Sequence, residues 1–452
     1  MKTAVSELEQ FLRHSQNEMV FPDRGVGEAG FQGHPAESKV HRLVALYYNY
    51  IGYAYANLGL IASAQEAYGK SLRAMREVEF RHMEATVRNN LSRVLAERGY
   101  TRARRLCLDA LDLRKKLTAE VPIALSYNTL ALIDNDHLRS DLAWIEATIA
   151  LAYFTKANDP RGRGLALLQL GEALRRLAKR VTEPYYLRGD SPDVVLQTAN
   201  QALMEAIKIF TSGPAAGERI RLVEAWIEKG CLERDWIPLV EDAAAKREHY
   251  REAIYHLEQA IDGARSLGNA RLELEARVNL AWTHYHFGNF EQARKTLDET
   301  ERQIPPNALL QAGQAPPSTE RDDVYLYHQL SKMEGLRGRM ALEEFRQIAE
   351  ELKQSVPDKE ERRRRIHEDE RAQDRLKEGA GAYVRALGYA QLHSPRSISL
   401  SITYDALYEY LKGFNLTELE DFYHYGQEAM TKYRLTEIVP LDMSRLDEFL
   451  QQ

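Results

Sequence analysis

Small and large apolar residues recur along the chain with the period of an α-helix, and the pattern is clearest between Arg251 and Pro305. Gly288 interrupts the pattern, and Pro305 ends it, because proline has no N–H to donate and clashes with the preceding helical turn. Alanines stand where two helices must approach closely, and large apolar residues fill the gaps between them. These positions are Ala253, Ala260, Ala281, Ala293, Leu257, Leu280, Phe290 and Leu297. The stretch therefore predicts three helices joined by tight turns.

The same arrangement recurs in three units closer to the N-terminus. In the first, about residues 45–78, we expect Gly52 and Ala64 to face each other where two helices cross. The second, about residues 85–118, is one residue short in its turn, and the third, about 124–157, lacks the turn glycine. The small and apolar positions that recur are Ile51, Tyr55, Tyr68, Ser71, Leu91, Ser92, Leu95, Ala103, Cys107, Ala110, Leu130, Ala131, Ala143, Ala147 and Ala150.

Two later units are interrupted by insertions, near residues 180–192 and 235–248. The fourth unit begins at Leu170 and Gly171, and its second helix resumes near Ala199. Insertions in repeat arrays form loops on one face, so we expect Ala199 to pack on Gly171 across the insertion.

The units that follow complete the array. The fifth carries Trp226 and Gly230 in its first helix, and the sixth runs from about Leu274 to Asn307. After a proline-containing loop, a degenerate seventh helix pair is predicted. Its first half would hold Leu330, Ser331 and Gly338, and its second half Phe345, Ile348 and Leu352.

The spacing of these residues resembles the tetratricopeptide repeat (TPR), a helix–turn–helix unit of about 34 residues. The resemblance covers residues 40–352 and implies an all-α, TPR-like α-solenoid, a right-handed superhelix without a β-sheet. The irregular helix lengths and insertions are similar to the TPR sensor regions attached to bacterial STAND-type regulatory ATPases. That similarity implies sensing of a ligand or protein, with an attached or separate NTPase or effector component. The chain has no Gly-x4-Gly-Lys-Ser/Thr sequence, so the NTPase is expected elsewhere.

The two ends differ from the array in composition. Residues 1–39 predict a short helix and a glycine- and proline-rich segment. Residues 353–452 predict a charged helix, in which Glu361 pairs with Arg365, and then a helical region that caps the last apolar face of the solenoid. This region is rich in tyrosine, at Tyr383, Tyr389, Tyr404, Tyr408, Tyr410, Tyr423, Tyr425 and Tyr433.

Composition excludes several classes of protein. The 452 residues are 44% hydrophobic and 28% charged, which is typical of a folded protein, and the formal net charge of −6 gives no electrostatic reason to bind nucleic acid. No apolar stretch approaches the ~20 residues of a membrane span, and charge precedes any signal-peptide core. Two cysteines are too few for a disulfide framework. We expect a cytoplasmic protein that does not bind a membrane.

Few residues suggest catalysis or metal binding. The thirteen histidines form no His-Glu-x-x-His or Cys/His cluster, and His284 and His286 point to different faces of a helix. The Arg161–Gly164 segment lacks the strand and Lys-Ser/Thr of a phosphate loop, so we expect it to lead into a helix. Carboxylates balance the four arginines at 362–365, which favours a solvated face. No catalytic residue, metal or cofactor is expected.

The TPR resemblance also implies which side chains contact a partner, because the first helix of each TPR unit lines the concave groove. The implied residues are Asn49, Tyr53, Asn89, Arg93, Asn128, Arg175, Arg176, Trp282, Tyr285, His286, His328 and Lys332. Asn49, Asn89 and Asn128 fall at the same place in three successive units. An asparagine row offers donors and acceptors to an extended peptide backbone, or alternatively bonds neighbouring helices within the stack.

We therefore expect a non-enzymatic scaffold that recognises a protein or peptide in its groove, as a sensor or adaptor in a bacterial regulatory system. The alternative is a small-molecule sensor with its ligand enclosed within the superhelix. An enzyme is the third option, and no acid/base pair or nucleophile motif in the sequence supports it.

Overall fold

The protein folds as a tandem array of helices. Its computed structural model describes residues 35–76, 80–96, 99–178, 191–212, 215–309, 324–356, 358, 361, 364, 365 and 368–393. Within these residues there are fourteen α-helices, a 3₁₀ turn at Pro306–Ala308 and no β-strand. The helices are α1 (Pro35–Asn57), α2 (Ile61–Arg76), α3 (Arg81–Ala96), α4 (Tyr100–Lys116), α5 (Glu120–Asp136), α6 (Ser140–Lys156), α7 (Pro160–Ala178), α8 (Pro192–Thr211), α9 (Arg219–Trp236), α10 (Ala243–Ser266), α11 (Ala270–His286), α12 (Phe290–Glu301), α13 (Val324–Ser355) and α14 (Glu370–His393).

Consecutive helices pack against each other along the whole array, as expected of a TPR-like α-solenoid. The first six pairs are α1–α2, α3–α4, α5–α6, α7–α8, α9–α10 and α11–α12, and each second helix also packs on the first helix of the next pair. Each pair thus buries its apolar face against its neighbours. The prediction of an all-α solenoid is confirmed.

Local sequence explains where the helices of the clearest stretch begin and end. The side chains of Asp242, Asn269 and Asn289 accept hydrogen bonds from the third residue beyond them, at 2.7, 3.1 and 3.2 Å, which caps α10, α11 and α12. Gly268 and Gly288 have φ of 62° and 87°, in the left-handed region that glycine adopts without steric cost. The predicted three helices with tight turns are confirmed.

The third unit makes its turn without glycine. Leu138, between α5 and α6, has φ of 56°, where Gly59 in the first unit has 75°. A left-handed leucine is uncommon and costs backbone energy. The packing of α5 on α6 therefore imposes a conformation that the leucine itself disfavours.

Small residues allow paired helices to approach. A Cβ on Gly171 would lie 2.5 Å from Leu203 Cγ and 3.3 Å from the Ala199 carbonyl oxygen, which confirms that α7 packs on α8 across the first insertion. A Cβ on Gly52 would lie 2.7 Å from the Tyr68 ring. The tyrosine, one turn beyond Ala64, is therefore the side chain that requires a glycine in α1.

The degenerate seventh pair was predicted wrongly. Its two halves form one continuous 32-residue helix, α13, with Gly338 buried inside it. The reason is local: residues 339–344 are good helix formers, and a lone glycine lowers helix stability by only about 1 kcal/mol. Helix α14 packs along α13, and Tyr389 stacks on Tyr327 with ring centres 6.2 Å apart.

Other predictions fall on ordinary helices or lie outside the described residues. The second insertion comprises the end of α9, residues 237–242 and the beginning of α10. Arg161–Gly164 forms the first turn of α7, and Glu361 pairs with Arg365 at 3.0 Å. The N-terminal segment to residue 34, the insertion at 179–190, and the tyrosines beyond residue 393 lie outside the described residues, as does the side chain of Tyr383. None of the described helices combines the length and apolar character needed to cross a bilayer.

Candidate functional site

The first helices of the pairs form one side of the array. Contacts between alternate helices run along the odd-numbered set, from α1 to α3 and onwards to α13. Helices on the inner side of a curved stack lie closer together than those on the outer side. The odd-numbered helices therefore form the inner surface, which carries the predicted groove residues.

The inner surface curves until distant units touch. Asn269, at the beginning of α11, donates a hydrogen bond to the Asn57 carbonyl at the end of α1, at 3.5 Å. Arg93 of α3 and Glu224 of α9 form an ion pair at 3.9 Å. Units one and two thus meet units five and six, and the inner surface faces itself.

Two of the three predicted asparagines bond neighbouring helices. Asn49 is 7% exposed and accepts a hydrogen bond from Asn90 at 3.1 Å. Asn89 is also 7% exposed and donates to Thr129 at 2.9 Å. Asn128 is half-buried, and its Oδ1 atom is buried without a hydrogen-bond partner. For Asn49 and Asn89 the second alternative therefore holds, because their hydrogen bonds join α1, α3 and α5 and their side chains are buried.

Buried ion pairs join α7 to α9. Arg175 donates to Glu228 at 2.8 Å and to Asp235 at 2.7 Å. Burial disfavours its charge, but the two carboxylates outweigh burial and raise the pKa of Arg175 well above its usual value. Arg176 pairs with Glu172 at 2.5 Å and is half-buried. Arg175 is therefore fixed between helices, and Arg176 is the more accessible of the two.

Lys332, on α13, is half-buried. Burial lowers the pKa of its ammonium, and the Glu275 carboxylate of α11 opposes that effect. His328 stands one turn earlier on α13 and is half-buried. Both predicted residues of α13 thus line the partly desolvated part of the surface.

Aromatic rings gather at the end of α11. Trp282 lies edge-on to Tyr285, with ring centres 5.9 Å apart, and His286 is also 5.9 Å from Trp282. The Arg339 guanidinium of α13 stands 5.6 Å from the Trp282 ring centre. Trp282 Nε1 is buried without a hydrogen-bond partner, and burial raises the pKa of Tyr285. These three side chains combine apolar ring surface with polar N–H and O–H groups, as residues that dominate binding energy often do.

Cationic side chains converge near the closure of the array. Glu224 accepts a hydrogen bond from Arg221 at 2.6 Å and also faces Arg93. The Arg271 guanidinium stacks on Tyr325, 3.8 Å from the ring centre. We call Arg93, Arg221 and Arg271 the arginine cluster. Tyr53 of α1 is 39% exposed and interacts electrostatically with Arg93 and Arg221.

Sequence reasoning missed several of these residues. Arg234 and Asp235 stand four and five residues after Gly230, a spacing that Arg175 and Arg176 have from Gly171, so the same count would have found them.

No local signal marks the other missed residues. Arg221 and Glu224 lie close to Arg93 only because the array curves. Arg271 contacts Tyr325 of α13, which lies beyond its own unit. Sequence spacing within one unit carries no information about that curvature.

Both cysteine thiols are buried. Cys107 and Cys231 are buried and free, and burial raises the pKa of Cys107 to about 12. The described residues contain no group of three His, Cys, Asp or Glu side chains that would hold a metal ion.

Comparison with known proteins finds one family match, in the region of α10, α11 and α12. Residues 244–315, which span α10, α11 and α12, match the tetratricopeptide repeat family model. The match lies in the region where the sequence pattern is most regular. No curated protein sequence matches the chain at a significant level.

Two solved structures of Rap proteins show a distant similarity to the chain. The apo form of RapI is 14% identical with a TM-score of 0.39, and the match covers 64% of this chain and 90% of RapI. A Rap protein complexed with competence and sporulation factor is 12% identical with a TM-score of 0.45, and the match covers 92% of this chain and 99% of that protein. At these values neither similarity supports an argument about function.

Proposed function

We propose that the protein is a non-enzymatic scaffold that binds a protein or peptide segment on its inner surface. The observation that carries this proposal is the composition of that surface. Exposed Tyr53, half-buried Arg93 and the aromatic group around Trp282 come from different units, and all lie on the odd-numbered helices that form the inner surface. Such a mixture of aromatic anchors and polar groups suits an extended chain with varied side chains.

The proposed recognition uses a largely preformed surface. Ion pairs such as Arg175 with Asp235, at 2.7 Å, fix the inner helices before a ligand arrives, so little ordering cost falls on binding.

A matched pair of tyrosine variants tests the proposal. Peptides enriched from a random display library on the full chain would be synthesised, and their Kd measured for the wild type, Tyr53→Ala and Tyr255→Ala. Tyr255 is 56% exposed on α10, an outer helix, and serves as the control. We expect Tyr53→Ala to weaken binding by about 10-fold and Tyr255→Ala to leave it unchanged. Equal effects of both variants, or no enrichment at all, would contradict the proposal.

A small-molecule sensor is the second candidate, favoured by the closure of the array. The contacts of Asn57 with Asn269 and of Arg93 with Glu224 bring the walls of the inner surface together, which suits an enclosed ligand. Native mass spectrometry of the purified protein distinguishes the candidates. A retained small ligand supports this one, and an unliganded mass that shifts on adding an enriched peptide supports the first.

The proposal also includes a biological role for the scaffold. We infer that the scaffold acts as a sensor or adaptor in a bacterial regulatory system, with an NTPase or effector component attached or separate. The support is the irregular helix length and the interrupted fourth unit, features similar to those of STAND-type sensor regions. Co-purification with an NTPase from the source cell tests it, and recovery of the chain alone would count against it.

A further inference from the structure

The arginine cluster has more positive charge than its nearest carboxylates neutralise. Two guanidiniums, of Arg93 and Arg221, share the single carboxylate of Glu224. The third, of Arg271, stacks on Tyr325, whose hydroxyl bonds Glu275. Glu218, the next carboxylate that acts on Arg221, pairs with Arg161 at 2.5 Å. Arg93 and Arg221 therefore have two positive charges against the single carboxylate of Glu224, an excess of one.

The sharing of Glu224 is unequal. Its carboxylate lies 2.6 Å from Arg221 Nη1, a short charge-assisted hydrogen bond, but 3.9 Å from Arg93 Nη2. Charge-assisted N–H···O bonds normally measure about 2.7–2.9 Å. Glu224 therefore satisfies Arg221 and leaves most of the donors of Arg93 available.

Arg93 is accessible and yet partly desolvated. Its side chain is 35% exposed, whereas that of Arg221 is only 8% exposed. Burial, and then the neighbouring Arg221 guanidinium, lower the pKa of Arg93. An anion placed beside Arg93 would stabilise its charge against both effects. A guanidinium can donate two parallel hydrogen bonds to one carboxylate.

We propose that the arginine cluster binds the carboxylate of an aspartate or glutamate side chain of the recognised peptide, with Arg93 as its main ligand. This inference rests on the proposed peptide function and adds a charge preference to it. An excess of one charge matches a carboxylate. The guanidiniums come from α3 on one wall and from α9 and α11 on the other, so they would enclose a side chain that projects from a peptide lying along the surface.

Matched peptide pools test the preference. The probes are random-sequence pentapeptide pools with a tetramethylrhodamine label at the N-terminus, in three forms. One contains a fixed glutamate and a C-terminal amide, one a fixed glutamine and an amide, and one a fixed glutamine and a free C-terminus. Fluorescence anisotropy on the full chain would give the affinity of each pool, and inorganic phosphate would be the competitor.

Three variants distinguish a specific role of the Arg93 guanidinium from a general effect of positive charge. Arg93→Gln removes the guanidinium, Arg93→Lys keeps the charge without the fork, and Arg102→Gln is the control on an exposed position of α4. We expect the wild type to prefer the glutamate pool at least about 10-fold over both others. Arg93→Gln should abolish that preference, Arg93→Lys should weaken it, and Arg102→Gln should retain it.

Each other outcome identifies a different failure. Equal binding of the glutamate and glutamine pools would overturn the inference and leave peptide recognition standing. Preference for the free C-terminus, or phosphate that competes at the concentration of the glutamate pool, would also overturn it. No binding of any pool would contradict the proposed function itself.

Discussion

At the residue scale, the asparagine row contains two side chains that bond neighbouring helices and one, Asn128, that does not. Asn89 donates to Thr129 at 2.9 Å between helices, whereas Asn128 Oδ1 has no partner to lose. We expect Asn89→Ala to lower the free energy of unfolding by about 1 kcal/mol, because it removes the interhelical hydrogen bond, while the Thr129 hydroxyl keeps its bond to the Leu125 carbonyl. Asn128→Ala should change it by less than about 0.5 kcal/mol. Urea unfolding of both variants checks this, and equal losses would mean that the two asparagines have one role.

Close packing at Gly171 gives a second prediction at this scale. A methyl group at position 171 would lie 2.5 Å from Leu203 Cγ, so Gly171→Ala should destabilise the protein by about 1–3 kcal/mol. The control is Gly335→Ala in α13, where a Cβ meets no atom within 4 Å and should stabilise the helix by about 0.5–1 kcal/mol. Thermal unfolding of both variants should shift Tm in opposite directions. A neutral Gly171→Ala would show that α7 and α8 are less closely packed than described.

Buried histidines predict a pH dependence of stability. Burial lowers the pKa of His284 to about 4, and it does the same for His256. An unfolded histidine titrates near 6.5, so between about pH 6.5 and 4 the unfolded state binds more protons and stability falls as pH falls. We expect His284 to contribute up to about 3 kcal/mol to that loss.

The measurement is the free energy of unfolding at pH 7.5 and 5 for the wild type and two variants. His284→Gln should show a smaller loss on acidification than the wild type. The control, His82→Gln, removes an exposed imidazole and should show the wild-type loss. Identical losses in all three proteins would mean that His284 is not the group responsible.

At the element scale, the sequence predicted the helix pairs correctly where small residues recur. It wrongly predicted a turn within α13. The alanines and glycines of the first six units located each helix pair correctly, because close approach of two helices demands small side chains. In α13, Gly338 was interpreted as a turn. It is buried within a continuous helix, and a single glycine carries too weak a signal to separate the two cases.

The first insertion gives the prediction at this scale. Because Gly171 of α7 already packs on Ala199 and Leu203 of α8, the residues between the two helices are not needed for their contact. Replacing 181–190 with a short loop should change Tm by less than about 3 °C, since shortening a loop alters closure entropy little. A large fall in Tm would mean that the insertion supports the array directly.

At the scale of the whole molecule, the curvature of the array decides which residues form the site. Position within a TPR-like unit predicted Arg93 and Tyr53 as groove residues, but it did not predict that Arg93 pairs with Glu224 on a helix more than a hundred residues later. Such contacts depend on the summed rotation of several units, which no single unit encodes. The sequence therefore predicted which helices form the inner surface. It did not predict which residues of distant units contact each other across that surface.

The most direct test of the central claim is site-specific photo-crosslinking of an enriched peptide. The photoreactive residue p-benzoylphenylalanine would replace Tyr53 on the inner surface or Tyr255 on the outer surface of the full chain. If the inner surface binds the peptide, irradiation should add the peptide mass to the protein labelled at 53 and not to that labelled at 255. Equal cross-linking at both positions, or cross-linking at 255 alone, would contradict recognition on the inner surface.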